Sequence, residues 1–510
     1  MTTLVAAPAP APTERRTPAP QADGRRWLAL VFIALAQLMV ALDATIVNIA
    51  LPSAQAALSF SDAERQWVVT AYTLAFGGLL LLGGRVADSI GRTRAFLIGL
   101  AGFAAASALS GAATSLGMLV GARALQGAFG ALLAPTALSL LAVTFTEPHD
   151  RAKAFGVYGG IAGGGAAVGL VLGGFLAEYL DWRWCLYVNV PIALIAAVGA
   201  WAVLENTRPA RRDALGPRFD VLGVLLGSGG LVSLVYASGQ AARQGWGAPL
   251  VLAPLGAGIT ALALFVVQEA RAETPLLPLR IVLDRRRGAA YLSVVLAIAG
   301  MFGAFLLLTY ELQVVLGFAP LQAGLAFLPM SAATLIGSGG IATRLLPRVS
   351  PRTLMVPGFV VAAGGMAALT QLRADSGYLT TILPAEVLLG LGIACVMVPA
   401  ASVATGDVDP RDAGIASAAL NTAQQVGASL GTAVLNTLAA SVTAAYLAAN
   451  ASATRADGLV HGYAVAAIWG AVLLIVGAAV AVSLSDDRSR RDRRPGDGAL
   501  GGREGGAQRS

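Results

Sequence analysis

Along the chain, apolar stretches of roughly twenty residues alternate with short polar connectors, most of them bearing arginine, and the alternation recurs fourteen times. The runs lie near 28–50, 65–83, 95–113, 117–139, 154–178, 184–204, 219–239, 249–268, 289–314, 321–345, 353–371, 379–403, 412–440 and 461–484. A hydrocarbon core about 30 Å thick takes about 20 residues of helix, so each run is long enough to cross it. Lipid-spanning strands would instead alternate apolar and polar residues over about ten positions, and soluble cores do not yield so many uncharged runs. The pattern predicts an all-α polytopic membrane protein with 14 transmembrane helices.

Composition agrees: 56% of the 510 residues are hydrophobic, 12% are charged, and the mean hydropathy is +0.71. Charge placement adds an orientation, because basic residues are retained on the cytoplasmic side. With the N-terminus inside, Arg65, Arg183, Arg243, Arg373 and Arg455 fall in outer loops, Arg123 falls within a run, and the other 29 of the 35 lysines and arginines lie in tails or inner loops. The expected location is therefore the cytoplasmic (inner) membrane, multi-pass, with both termini cytoplasmic. The net charge of +7 follows from this bias, and no nucleic-acid partner is expected. Residues 1–26, rich in Ala and Pro, and residues 485–510, charged and Gly-rich, are expected to be disordered tails. Cys185 and Cys395 supply no disulfide framework, and His149 and His461 have no ligand-type neighbours, so neither a metal site nor an enzyme is expected. The single lysine, Lys153, follows Ala152 rather than the glycine of a phosphate-binding Gly-Lys-[Ser/Thr] turn.

Two short repeats organise the runs. "VGLVLGG" (Val168 to Gly174) in run 5 matches "VGASLGT" (Val426 to Thr432) in run 13 at an offset of 258. "GGRVADSIGR" (Gly83 to Arg92) after run 2 has a degraded echo in "GGIATRLLPR" (Gly339 to Arg348) after run 10, at an offset of 256. Nearly equal offsets make runs 1–6 and 9–14 related units. The expected organisation is a six-helix bundle over 27–204, a linker with two extra helices over 205–288, and a second six-helix bundle over 289–484.

"GRVADSIGRTR" (Gly84 to Arg94) resembles the G-x-L-A-D-x-x-G-R-[KR] loop of the major facilitator superfamily. "LDATIVNIALP" in run 1, "ARALQGAFGA" in run 4 and "WRWCLYVNVP" entering run 6 are similar to the fourteen-span drug:proton antiporters of the EmrB/QacA type, and the resemblance extends from about Trp27 to Leu484. It implies the major facilitator fold, two six-helix bundles plus two inserted helices, acting by alternating access with no cofactor beyond the proton gradient. It also implies a conformational latch at Gly84, Asp88, Gly91 and Arg92 between runs 2 and 3. Run 5 carries Gly169-Leu170 where the family usually has Gly-Pro, but a glycine seam at Gly165, Gly169, Gly173 and Gly174 remains, suited to close and movable helix contact.

One carboxylate sits inside the first run. Asp43 lies about 22 Å from the inner end of its helix at 1.5 Å per residue, and Arg123 in run 4 lies about 20 Å from the same side. Two charges at one depth are expected to face the bundle interior and to pair. Burial favours the protonated carboxyl and a nearby arginine the ionised one, so opening to either side changes the balance. Asp43 is thus the expected proton carrier, modulated by Arg123 and Gln126, with a fixed structural role beside Asn48 as the alternative. Glu311 and Glu386 are candidates either to attract a cationic substrate or to sit at the membrane interface, and Trp67, Tyr72, Tyr310, Gln313, Asn421 and Gln425 either to line its cavity or to serve as interfacial anchors and helix packing. The membrane potential supplies about 2.3 kcal/mol per charge per 100 mV, and a pH difference about 1.36 kcal/mol per unit, enough for export. The expected function is proton-coupled efflux of amphipathic or cationic drugs or antibiotics by a monomer in the bilayer. A symporter or facilitator for a small metabolite is the alternative, made less attractive by the scarcity of polar residues in the runs.

Overall fold

The computed structural model describes residues 20–145, 147–204, 220–245, 247–272, 275, 279–373, 376–406 and 413–484. Of the expected tails, 1–19 and 485–510 lie outside the described residues, whereas 20–26 are helical and open the first helix. The chain order is α1 (Pro20–Leu58), α2 (Gln66–Ile90), α3 (Arg92–Gly111), α4 (Leu116–Thr144), α5 (Pro148–Tyr179), α6 (Trp184–Tyr187) and α7 (Asn189–Val203), followed by α8 (Val221–Gln244) and α9 (Pro249–Arg271). Next come α10 (Leu279–Val282), α11 (Arg285–Tyr310) with a π-helical turn (Glu311–Val315), α12 (Pro320–Ala326), and α13 (Leu328–Leu335) with a second π stretch (Ile336–Ala342) and α14 (Thr343–Leu345). The chain closes with α15 (Pro351–Leu369), a third π turn (Tyr378–Ile382) leading into α16 (Leu383–Thr405), α17 (Ala413–Ala449) and α18 (Arg455–Val482).

Every apolar run falls on helix. Among the described residues, 11 helical segments are long and apolar enough to cross a membrane, and shorter apolar stretches, Gln66–Leu80, Gly164–Tyr179 and Leu222–Leu234, lie within α2, α5 and α8. Two runs are interrupted. The run at 184–204 breaks at Val188, and Pro191 falls in the first turn of α7, where its missing N–H leaves no helical bond unmade. The run at 321–345 divides at Phe327, with Pro329 opening α13, and then widens into the π stretch.

Helices α1 to α7 pack chiefly on one another, through α2 on α4, α1 on α5 and α3 on both α4 and α7. Helices α11 to α18 do the same, through α15 on α16, α11 on α17 and α17 on α18. The two groups meet along α2 with α17 and along α5 with α12, and α8 lies against α2, α17 and α9. Large apolar side chains point outward where lipid would be, among them Ile195, Val198 and Trp201 on α7 and Leu250, Ile259 and Leu264 on α9. Lipid is as apolar as the core, so the helix contacts depend on close packing rather than on water exclusion.

That packing follows the sequence repeat. A Cβ at Gly169 or Gly173 would run into α1, at Thr45 and Leu42 or at Ile46. At the matching positions Gly427 and Gly431, it would run into the main chain of α11 at Val295 and Ala299. Each half therefore presses a glycine-bearing helix onto its own first helix. The helix that the seam faces is α1, since Gly165, Gly169 and Gly173 all lie against it within one half. The approach across the halves is made instead by Gly174 against Pro320 and Leu321, and by Gly324 of α12 against Leu170.

The connector between α2 and α3 is also shorter than expected. Residues Gly84 to Ile90 are helical, and Gly91 alone makes the turn, with φ 94°. That backbone is open to glycine and strained for other residues. Gly84 stands clear of its neighbours, 3.7 Å from Pro135 for an added Cβ, whereas Gly83 is the position pressed onto the Ala131 carbonyl of α4. The Asp88 side chain lies outside the described residues, so the latch contact expected of it has no geometry to report. Arg92 opens α3 and is half-buried.

Candidate functional site

Asp43, in the middle of α1, is completely buried. Its Oδ2 accepts from Arg123 Nη1 at 2.7 Å, and its Oδ1 accepts from Gln126 Nε2 at 2.7 Å and Asn189 Nδ2 at 2.8 Å. Arg123 and Gln126 stand three residues apart on α4, which places both on one helix face. Arg123 also donates through Nε to the Val68 carbonyl of α2 at 3.2 Å and through Nη1 to Gln126 Oε1 at 2.8 Å. Its guanidinium carbon lies 4.4 Å from the centre of the Tyr72 ring, a cation–π contact within a desolvated site.

Ser107 of α3 completes the network. Its hydroxyl accepts from Gln126 at 3.1 Å and from Asn189 at 3.0 Å, and it donates to the Leu186 carbonyl at 2.7 Å. Five elements of the first half, α1, α2, α3, α4 and the α6–α7 break, thus converge on one carboxylate. A buried ion pair of this kind is tolerated when further hydrogen bonds satisfy both partners, which they do here. Asn48 is not among them, because its amide donates to Ala44 of its own helix. Asn189 and Ser107 are members that the sequence reading did not single out, although Asn189 lies in the quoted "WRWCLYVNVP" stretch.

A second polar cluster joins the halves at the end that carries the α1–α2 loop. Buried Arg65 donates through Nε to Asn436 Oδ1 of α17 at 2.5 Å, and its guanidinium carbon lies 3.8 Å from the centre of the Tyr310 ring. Asn436 donates to the Asp62 carbonyl at 3.0 Å, Tyr310 donates to Gln55 Oε1 at 2.6 Å, and Gln313 donates to the Ile49 carbonyl at 3.0 Å. Asp62 lies 3.5 Å from Arg455 at the start of α18. These bonds close the molecule at that end.

The cavity candidates are spread through the molecule rather than gathered in one place. Tyr72 belongs to the Asp43 network, while Tyr310 and Gln313 belong to the cross-half clasp. Trp67 lines a cavity of about 250 Å³ with Glu64, Val120 and Gln240. Asn421 donates to Ser417 of its own helix, and Gln425 abuts Gly77 across the α2–α17 contact. Glu386 is buried on α16 with Tyr378 at 3.5 Å, and Glu311 is buried at the first position of the π turn.

Similarities to known proteins extend over nearly the whole chain. A family model described as Major Facilitator Superfamily matches residues 33–432. The chain is 54% identical over 471 residues to the puromycin resistance protein pur8 of Streptomyces alboniger, covering 92% of this chain and 93% of that one. It is 41% identical over 416 residues to the cephamycin export protein CmcT of Amycolatopsis lactamdurans, covering 81% and 85%. Among solved structures it resembles the crystal structure of a bacterial homologue of the human lysosomal transporter Spinster, with a TM-score of 0.65 at 17% identity, covering 90% of this chain and 97% of that one.

Proposed function

We propose that this chain, which belongs to the major facilitator superfamily of membrane transporters, is a proton-coupled antiporter that exports an antibiotic or similar amphipathic or cationic compound. It acts as a fourteen-span monomer, two six-helix bundles with α8 and α9 inserted between them, in the cytoplasmic membrane with both termini inside. Relatives named for puromycin resistance and cephamycin export support the direction of transport and the class of cargo.

The observation that carries the coupling is the buried Asp43–Arg123 pair, 2.7 Å apart, joining α1 to α4. In the present state Arg123, Gln126 and Asn189 all donate to the Asp43 carboxyl, so that a change in their placement changes what the group can bind. Rocking of one bundle on the other at α5–α12 and α2–α17 would shift α1 relative to α4 and loosen the pair, so that Asp43 takes a proton from outside. The latch residues Gly84, Asp88, Gly91 and Arg92 hold the alternative state. No cofactor is needed, since the proton gradient supplies the energy.

Everted membrane vesicles holding the full chain test this with puromycin as probe. Addition of puromycin to energised vesicles is expected to release protons from the lumen, and Asp43→Asn is expected to abolish both that release and pH-driven puromycin accumulation. Undiminished pH-driven transport by Asp43→Asn removes Asp43 from the mechanism, and puromycin moving together with protons replaces antiport by symport.

A further inference from the structure

The second half of the molecule holds a carboxyl group in the opposite condition to Asp43. Glu311 is completely buried, and among the described residues neither of its oxygens has a hydrogen-bond partner. It opens the π-helical turn that continues α11, a local widening of the helix often found where a side chain is re-aimed for function. An ionised carboxylate stripped of water and partners is so costly that the group neutralises instead. Only two occupants relieve that cost, a bound cation or a proton.

The surroundings favour the proton. The turn packs against α11, α12 and α18, and its Gln313 donates to the Ile49 carbonyl of α1, whose Asp43 is committed to Arg123. On α11, Arg285, Arg286, Arg287 and Tyr291 lie at the far end of the helix, and the Tyr310 hydroxyl is committed to Gln55. No titratable residue occurs in α12. On α18, Arg455 pairs with Asp62, Asp457 caps Thr454, and His461 stacks on Tyr446. That leaves buried Tyr463 as the group within electrostatic reach of Glu311. A cargo-sized cation needs space, and two cavities between helices lie away from Glu311. One of about 710 Å³ is an apolar groove between α5 and α12–α13, and the one at Trp67 is on the first half.

We propose that Glu311 is a second proton site of the transport cycle, protonated while the Arg65–Asn436–Tyr310 clasp is shut and exchanging its proton when the clasp opens. Its neighbour Tyr310 carries Arg65 on its ring, and the Tyr463 ring centre lies 5.9 Å from Arg65, so the clasp rests on the residue adjoining Glu311 and opening it changes the surroundings of that acid. The cycle then moves one more proton per cargo molecule than Asp43 alone accounts for. This rests on the antiport reading above.

Two measurements on the full-length protein test it. In the infrared spectrum of purified protein at neutral pH, the C=O band of a protonated carboxylic acid should lose one group's amplitude in Glu311→Gln and keep it in Asp43→Asn. In proteoliposomes loaded with puromycin as probe, Glu311→Gln should still transport, because the amide mimics the protonated acid, but with one proton fewer. At an imposed pH difference of one unit its steady-state gradient should be about tenfold smaller than wild type. An unchanged infrared band, or an unchanged proton-to-puromycin ratio in Glu311→Gln, overturns the site while leaving antiport intact. Wild-type export without any proton movement overturns antiport, and with it the coupling role of Glu311. Wild-type thermal stability in Glu311→Gln is the expected sign that the fold is kept, and Glu311→Asp, which retains a carboxyl, should recover the lost proton.

Discussion

The two halves of this transporter are alike in how their helices pack and unlike in how they hold a buried acid. In each, a glycine pair one helical turn apart presses onto the first helix of the half, Gly169 and Gly173 on α1, Gly427 and Gly431 on α11. Asp43 in the first half accepts three hydrogen bonds, one of them from an arginine, while Glu311 in the second accepts none. Like packing in the two halves thus accompanies unlike polar interiors. The two acids should therefore respond in opposite ways when their charge is removed.

The largest expected effect comes from breaking the satisfied site. Arg123→Ala leaves Asp43 buried with its counter-charge gone, and removing one partner of a buried pair costs about 3–5 kcal/mol. Thermal unfolding in detergent should show a large fall in midpoint for Arg123→Ala, with much of it recovered in the double variant Arg123→Ala, Asp43→Asn, where no lone charge remains. The comparison breaks if Glu311→Gln destabilises as much as Arg123→Ala, since an orphaned acid has no counter-charge to lose.

How far sequence alone reaches is clear from these same residues. Asp43 and Arg123 are legible because a charge inside an apolar run is rare and because helix rise converts position into depth. Asn189 and Ser107 are not, since neutral polar residues are common on such helices, and only the placement of α3 and α7 beside α1 brings them together. Arg65 reads as one more outer-loop arginine, yet it is buried through contact with Asn436, 371 positions further on. The glycine repeat was visible as an offset, but which helix it faces was not, because a helix presents several faces and the partner is set by tertiary packing. The segment from Gly84 to Arg94 reads as a loop for the opposite reason: its Gly and polar residues suggest a turn, whereas helix continues through all of them but Gly91.

An intermediate effect is expected at the seams, where the halves are alike. Gly431→Ala would push a methyl group into the main chain of α11 at Ala299, which has no room to yield, and overpacking of this sort costs about 1–3 kcal/mol. Gly169→Ala meets the Thr45 hydroxyl first, a side-chain atom already bonded to Ala166 and Leu42, and then the Leu42 carbonyl at 2.9 Å. Both variants should lower the unfolding midpoint, Gly431→Ala the more. Equal stability of both variants with wild type would mean that the seams are looser than drawn and that the likeness between halves stops at the sequence.

The smallest effect tests where the likeness ends. Gly91 and Pro347 occupy matching positions of the "GGRVADSIGR" and "GGIATRLLPR" segments, yet only the first segment turns through a positive φ. The second continues through the π stretch Ile336–Ala342 and α14 to Leu345, and leaves through the turns that follow with no left-handed residue. Gly91→Ala should cost on the order of 1 kcal/mol through backbone strain, read as a small drop in unfolding midpoint. In the second half, an added Cβ at Gly339 meets nothing within 4 Å, so Gly339→Ala should be neutral or slightly stabilising in the same measurement. A larger loss at Gly339 than at Gly91 would show that the second segment also turns on its glycine, and that the two connectors are as closely related as the two seams.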